Sequence, residues 1–148
     1  MNKMIALGSD HGGFELKQEI MAYLKEKNIP FKDYGTYSTE SCDYADYAEL
    51  ACNAIVAGEC EKGILICGTG IGISMAANKI KGIRAAACSE HFSAKYTRLH
   101  NDANVLCLGG RVIGPGTACE LVDLFLNTEF EGGRHALRVN KITALENK

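Results

Sequence analysis

The chain has 148 residues, 47% of them hydrophobic, enough for one well-buried core, and domains of this size hide roughly 68–70% of the surface their unfolded chains expose. A net charge of −2 and a pI near 6.1 supply neither the basic excess nor the basic stripe that nucleic acid or an anionic membrane requires, so a small-molecule partner is expected. No run of about 18 apolar residues is present to cross a bilayer, and the short apolar run after Met1-Asn2-Lys3 is too brief for a signal peptide, so a cytoplasmic location is expected.

A first strand is predicted at residues 4–7, followed by the turn Gly8-Ser9-Asp10-His11-Gly12-Gly13. From about Gly13, Phe14, Ile20, Met21 and Leu24 repeat at helical spacing, with Lys17, Glu19, Lys25 and Glu26 assigned to other faces. A strand at 31–34 precedes a helix carrying Tyr44, Ala48, Ala51, Cys52 and Ile55, for which Asp43 is a candidate cap. A third strand at 64–67 ends on Cys67, and the loop Gly68-Thr69-Gly70-Ile71-Gly72 leads into a helix at about 73–79. Strands at 83–88 and 105–108 bracket a helix at about 92–101, and helices at 118–127 and 134–146 close the chain. Strict alternation of helices with nearly continuous apolar strands predicts one α/β domain over 1–148, a Rossmann-like αβα sandwich on a five-stranded parallel sheet. Ligands of such sheets sit beyond the carboxyl ends of the strands, so the residues after each strand are where function is sought.

The first turn combines a carboxylate, an imidazole and three glycines at a helix start, where free N–H groups favour an anion. A plain helix cap at Asp10 with a solvated His11 is the competing reading. The loop after Cys67 offers successive backbone N–H groups for an anionic oxygen, and a thiol at such a turn faces the positive end of a helix, which favours a base or nucleophile. The competing reading is a small residue ending a strand. Glu90 lies at the distance of a ribose-binding acid, but Ile73 stands where a third fingerprint glycine belongs and the motif follows the third strand, against a dinucleotide site. A P-loop lysine is absent from the motif as well.

Seven cysteines are an odd count with no C-x-x-C pair, so Cys52, Cys88, Cys107 and Cys119 are read as small buried hydrophobes. His11, His91, His100 and His135 show no metal-ligand spacing; no metal is expected, and His91 and His135 are assigned to the surface. Arg134 and Arg138 lie four apart on the last helix, a spacing that suits either a phosphate or a solvated face.

Gly8-Ser9-Asp10-His11, Asp43-Tyr44, Cys67 with its glycine loop, Ala76-Ala77-Asn78-Lys79, His100-Asn101-Asp102 and Glu131-Gly132-Gly133-Arg134-His135 together resemble the type B ribose-5-phosphate isomerase family, nearly end to end. That family also holds galactose-6-phosphate and allose-6-phosphate isomerases. The resemblance implies a cofactor-independent interconversion of ribose 5-phosphate and ribulose 5-phosphate through an enediolate, with Cys67 as the base. A second branch of the family uses a glutamate directly after the loop, a position held here by Ile73, which accepts no proton. By the same resemblance Thr69 assists at the reacting oxygens, the N–H groups of Gly70, Ile71 and Gly72 hold the developing oxyanion with Gly68 among the substrate-binding residues of the loop, and His100 opens the furanose ring while Asp10 binds or polarises its oxygen. His11, Arg134 and Arg138 become phosphate ligands, and Asn101 and Arg111 complete the contacts. The resemblance further implies a homodimer or tetramer with shared sites, in which His100, Asn101 and Arg111 reach in from a neighbouring chain and the last helix packs on a partner. A six-carbon sugar 6-phosphate is the alternative substrate, and a non-enzymatic nucleotide or phosphosugar sensor the alternative class.

Overall fold

The computed structural model describes residues 3–148; Met1 and Asn2, part of the segment read as too short for a signal peptide, lie outside the described residues. Among the described residues the order is β1 (Ile5–Ser9), α1 (Phe14–Glu26), β2 (Phe31–Asp33), α2 (Tyr44–Val56), β3 (Lys62–Cys67), α3 (Ile71–Ala77), β4 (Ala85–Ala87), α4 (His91–Asn101), β5 (Val105–Gly109), α5 (Pro115–Asn127) and α6 (Arg134–Leu145). The five strands are all parallel, in the order β2-β1-β3-β5-β4, as the alternating pattern requires.

Covered on both faces, β1, β3 and β5 bury almost every residue, which is why they read as unbroken apolar runs. Ile5, Leu7, Ile64, Ile66, Leu106 and Leu108 share one core with Leu16, Ile20 and Leu24 of α1 and Leu121, Val122 and Phe125 of α5. The alternate residues Ala6, Leu65, Cys67, Val105 and Cys107 join Ala48, Ala51 and Cys52 of α2 and Ile73 and Ala77 of α3 on the other face. The period of two thus sets Cys67 on the α2–α3 side. Helix α6 packs on α4 and leaves Leu137 and Leu145 exposed.

Several local expectations change. Strand β4 is confined to Ala85–Ala87 because Ile83 is spent in a turn, donating its N–H to the Ile80 carbonyl. Helix α3 starts at Ile71, directly on the glycine loop, and α5 starts at Pro115, whose missing N–H is not needed in a first turn. Asp43 occupies the N-cap position of α2, but its side chain makes no capping bond. Cys52, Cys88 and Cys107 are buried as expected, whereas Cys119 is only half-buried, and all seven thiols are free. Burial pushes Cys52 up to about 12 and Cys88 up to about 11, so neither is a ready nucleophile.

Lys17 belongs to no outer face: it is 0% exposed. Its Nζ donates to Asp33 Oδ1 at 2.6 Å and to the Thr36 carbonyl at 2.5 Å, tying α1 to the segment after β2. That segment is in turn bonded to the end of β1, through Ser9 N–H to Gly35 O and Thr36 N–H to Ser9 O, both 2.7 Å. Desolvation lowers the Lys17 pKa, and the Asp33 carboxylate opposes that shift.

Tyr23 donates its hydroxyl to Asp123, which, with some burial, pushes its pKa up to about 12. Tyr34 reaches about 12 through burial and its contact with Cys60. Unfolded tyrosines lose their protons near 10, so between about pH 10 and 12 the folded chain holds more protons and stability falls as pH rises. Tyr23→Phe and Tyr34→Phe should each flatten the decline of the urea midpoint across that window; unchanged slopes would show that other groups govern it.

Candidate active site

At the carboxyl end of β1, the Asp10 N–H donates to Ile66 O of β3 at 3.2 Å, and Asp10 Oδ1 accepts from Gly13 N–H at 3.1 Å. Asp10 therefore does cap the turn, yet it remains buried beside the loop of the neighbouring strand. The turn lies against that loop because neither contact residue has a side chain: a Cβ on Gly12 would stand 3.2 Å from Gly68 N. His11 Nδ1 accepts the Cys42 N–H at 3.2 Å, which puts the proton of the neutral ring on Nε2 and turns that nitrogen into a donor. Cys42 carries no sequence signal for this contact beyond standing beside Asp43-Tyr44.

Cys67 ends β3 with 4% of its surface exposed, and its Sγ accepts the Gly70 N–H at 3.2 Å. Gly70 is the N-cap of α3 with φ of +82°, a conformation that a side chain would strain, and this is what turns its N–H back onto the sulfur. Ile71 N–H donates to Thr69 Oγ1 at 3.2 Å. Two of the three donors expected for an oxyanion are thus engaged within the loop itself, so an anionic oxygen must displace or share those bonds. Gly72 meets the ring of Tyr44, with Cζ 2.7 Å from where a Cβ would stand. Tyr44, half of the Asp43-Tyr44 motif, therefore walls the loop.

Arg111, after β5, does not need a neighbouring chain to reach this loop. Its N–H donates to Gly68 O at 3.0 Å, and Nη1 lies 3.1 Å from where a Gly68 Cβ would be. Arg111 is exposed, leaving the guanidinium free to face a ligand. Asp10, His11, Cys67, Thr69 and Arg111 thus converge at the switch between β1 and β3, where such sheets hold ligands.

His100, Asn101, Arg134 and Arg138 form a second group at the other end of the sheet. Cys67 pairs with Gly109 at the carboxyl end of β5, whereas His100 and Asn101 precede Val105 at its amino end, so roughly 13 Å of strand separates the two levels. Asp102 anchors that end of α4: it ends the helix in the left-handed conformation at φ of +48° and accepts from Arg98 Nη1 at 2.8 Å and Arg84 Nη2 at 3.3 Å. Arg134 and Arg138 are exposed on α6, and among the described residues neither has a carboxylate partner.

His91 is exposed and pairs with Glu120 at 2.7 Å, as a surface histidine should. His135 is not a surface residue. It is 7% exposed and stacks on His100 with ring centroids 4.0 Å apart. Burial lowers its pKa, with His100 adding to the shift, which favours the neutral ring. Glu131 completes a cluster in which one ligand atom from each of His100, Glu131 and His135 lies within 4.8 Å of the others, a grouping that linear spacing did not announce. Glu90, weighed as a ribose ligand, caps α4 instead by accepting the Ser93 N–H.

A family model described as Ribose/Galactose Isomerase matches residues 5–142. Ribose-5-phosphate isomerase B of Escherichia coli is 53% identical over 146 residues, covering 99% of this chain and 98% of that protein. The D-erythrulose-4-phosphate isomerase of Pectobacterium atrosepticum is 44% identical over 145 residues, covering 97% and 95%. The solved ribose-5-phosphate isomerase B of Clostridium thermocellum superposes with a TM-score of 0.96 at 51% identity over 97% of each chain.

Proposed function

The chain belongs to the ribose/galactose isomerase family and is an isomerase, and from that premise we propose that it interconverts ribose 5-phosphate and ribulose 5-phosphate with Cys67 as the proton-transfer base. The observation that carries this reading is the buried Cys67 sulfur at the end of β3, bonded by Gly70 N–H and set beside Asp10, His11 and Arg111. His100 opens the furanose by moving the proton between the anomeric hydroxyl and the ring oxygen. Cys67 thiolate then takes the proton from C2; the C–H electron pair becomes the C1–C2 double bond and the carbonyl electrons move to O1. The proton on sulfur exchanges with solvent before it is delivered to C1; as the C1–C2 double bond takes it up, the O2 hydroxyl electrons form the C2 carbonyl and the O2 proton passes to O1, which yields the ketose, so the step is balanced without a cofactor. Thr69 and the loop donors stabilise the enediolate oxygens, and a single donor of this kind is worth about 100–1000-fold in rate. The Nε2–H of His11 and the guanidinium of Arg111 take the phosphate from one side, a reading supported by the His11 tautomer and by the approach of Arg111 to Gly68.

The separation of His100, Asn101, Arg134 and Arg138 from the Cys67 loop supports a site shared by two chains. Exposed Phe92, about two turns before His100 on α4, and exposed Leu137 and Leu145 of α6, which packs on α4, supply the apolar surface such a dimer would cover. Mixing Cys67→Ala chains with His100→Asn chains should therefore regenerate activity, up to about one quarter of wild type if dimers form at random, because each mixed dimer holds one intact site. No recovery after subunit exchange would mean that each site is complete within one chain.

The substrate is tested by a coupled assay across ribose 5-phosphate, allose 6-phosphate and galactose 6-phosphate. The highest kcat/KM is expected for the five-carbon substrate; a preference for either hexose phosphate would replace it.

A further inference from the structure

Outside the Cys67 loop, the most unusual grouping of side chains is His100, Glu131 and His135. His135 Nε2 is buried and has no hydrogen-bond partner among the described residues. It lies 3.7 Å from Glu131 Oε1, while His100 Nε2 lies 3.9 Å from Glu131 Oε2. Both gaps exceed a hydrogen bond, so the carboxylate stands across from two ring nitrogens without being satisfied by either. A buried imidazole nitrogen left unpaired is costly, and it awaits a proton, a water or an electrophile.

We propose that His100, Glu131 and His135 form a binding site for a divalent transition-metal ion, of the zinc or cobalt class, and that the bound ion withdraws His100 from substrate. Two imidazoles and one carboxylate are a borderline-soft donor set suited to such ions, and they leave further positions open to water. With metal–ligand bonds of about 2.0–2.2 Å, tetrahedral donors stand about 3.3–3.6 Å apart, so the 3.7 and 3.9 Å gaps to Glu131 need close by about half an ångström, while the ring nitrogens of His100 and His135, within 4.8 Å of each other, converge only as the half-exposed His100 ring turns out of its stack on His135. His135 supplies the fixed ligand because it is buried. Glu131 and His100, at 54% and 37% side-chain exposure, have room to swing inward. Arg134 and Arg138 oppose a dication, and the Glu131 carboxylate offsets part of that charge. Capture of the His100 ring by the ion makes the site inhibitory, a consequence that rests on the ring-opening role given to His100 above.

The test separates the two parts. Co²⁺ is titrated calorimetrically into the chelator-treated full-length Cys67→Ala chain, with absorption spectra taken at each step. One ion per chain is expected, with visible cobalt bands and without the near-ultraviolet charge-transfer band of a thiolate ligand. Since even an outer-shell partner is worth 10–100-fold in affinity, removing a ligand by His135→Asn or Glu131→Gln should weaken binding by at least about tenfold. Glu131 is exposed, so Glu131→Gln keeps the test sound if His135→Asn fails to fold. No saturable binding, thiolate bands, or unchanged affinity in Glu131→Gln would overturn the site. In wild type, Zn²⁺ should inhibit isomerisation reversibly on adding a chelator, and less so in Glu131→Gln; binding without inhibition would overturn the withdrawal of His100. Because binding is read in Cys67→Ala, an inactive wild type would count against the isomerase substrate reading alone.

Discussion

Cys67→Ala should lower kcat for ribose 5-phosphate by about three orders of magnitude, within the 10²–10⁴-fold that a positioned base contributes, while the fold and the affinity for inorganic phosphate persist. The loss falls on kcat because the sulfur is invoked only when the C2 proton moves, whereas phosphate is assigned to His11, Arg111 and the arginines of α6. Folding should survive because the change removes one buried sulfur and the bond it accepts from Gly70 N–H, leaving the close approach of Gly12 to Gly68 untouched. Cys67→Ser, which keeps a hydrogen-bond acceptor at the same place but replaces the acidic thiol with a hydroxyl, should be nearly as slow. Steady-state kinetics and phosphate protection against thermal unfolding check both variants; an active Cys67→Ala enzyme would remove Cys67 from the chemistry.

Lys17→Met is expected to have the largest effect on stability, about 3 kcal/mol, the lower end of the range for removing one partner of a buried ion pair. The lower end applies because Asp33 Oδ1 keeps the Gly35 N–H, 2.9 Å away, when the ammonium is gone. Thr36 O loses a donor at the same time. Adding Asp33→Asn should return part of the stability, since the uncompensated charge is then absent. The effect reaches the active site, because the segment held by Lys17 carries the bonds between Gly35, Thr36 and Ser9 that fix the end of β1 next to Asp10. Urea unfolding of the two variants, with kcat/KM alongside, checks the link. A loss under about 1 kcal/mol for Lys17→Met would mean that the buried pair merely balances its desolvation.

What the sequence discloses follows from how local each signal is. The central strands β1, β3 and β5 are legible because burial on both faces forces an apolar residue at nearly every position. Edge strand β4 is not, since partly exposed Ala85–Ala87 carries no such compulsion and the apolar Ile83 beside it belongs to a turn. The Cys67 loop is legible because its glycines, its sulfur and the start of α3 are contiguous. Lys17 is misread because a lysine on a helix ordinarily faces water, and its partners Asp33 and Thr36 are supplied only by the packing of α1 beside β2. His135 is misread for the same reason: the Glu131 and His100 contacts that bury it arise from the docking of α6 on α4. Arg111 departs from the shared-site expectation because the β5–α5 turn bonds directly to Gly68 of its own chain.

The central claim, that Cys67 carries a proton between C2 and C1, is tested most directly by proton NMR of the isomerisation run in D₂O. The account predicts that wild type places solvent deuterium on the transferred carbon position of the product, and that Cys67→Ala shows neither exchange nor turnover. Product formed by wild type without deuterium at that carbon, as in a direct hydride shift, or exchange persisting in Cys67→Ala, would contradict it.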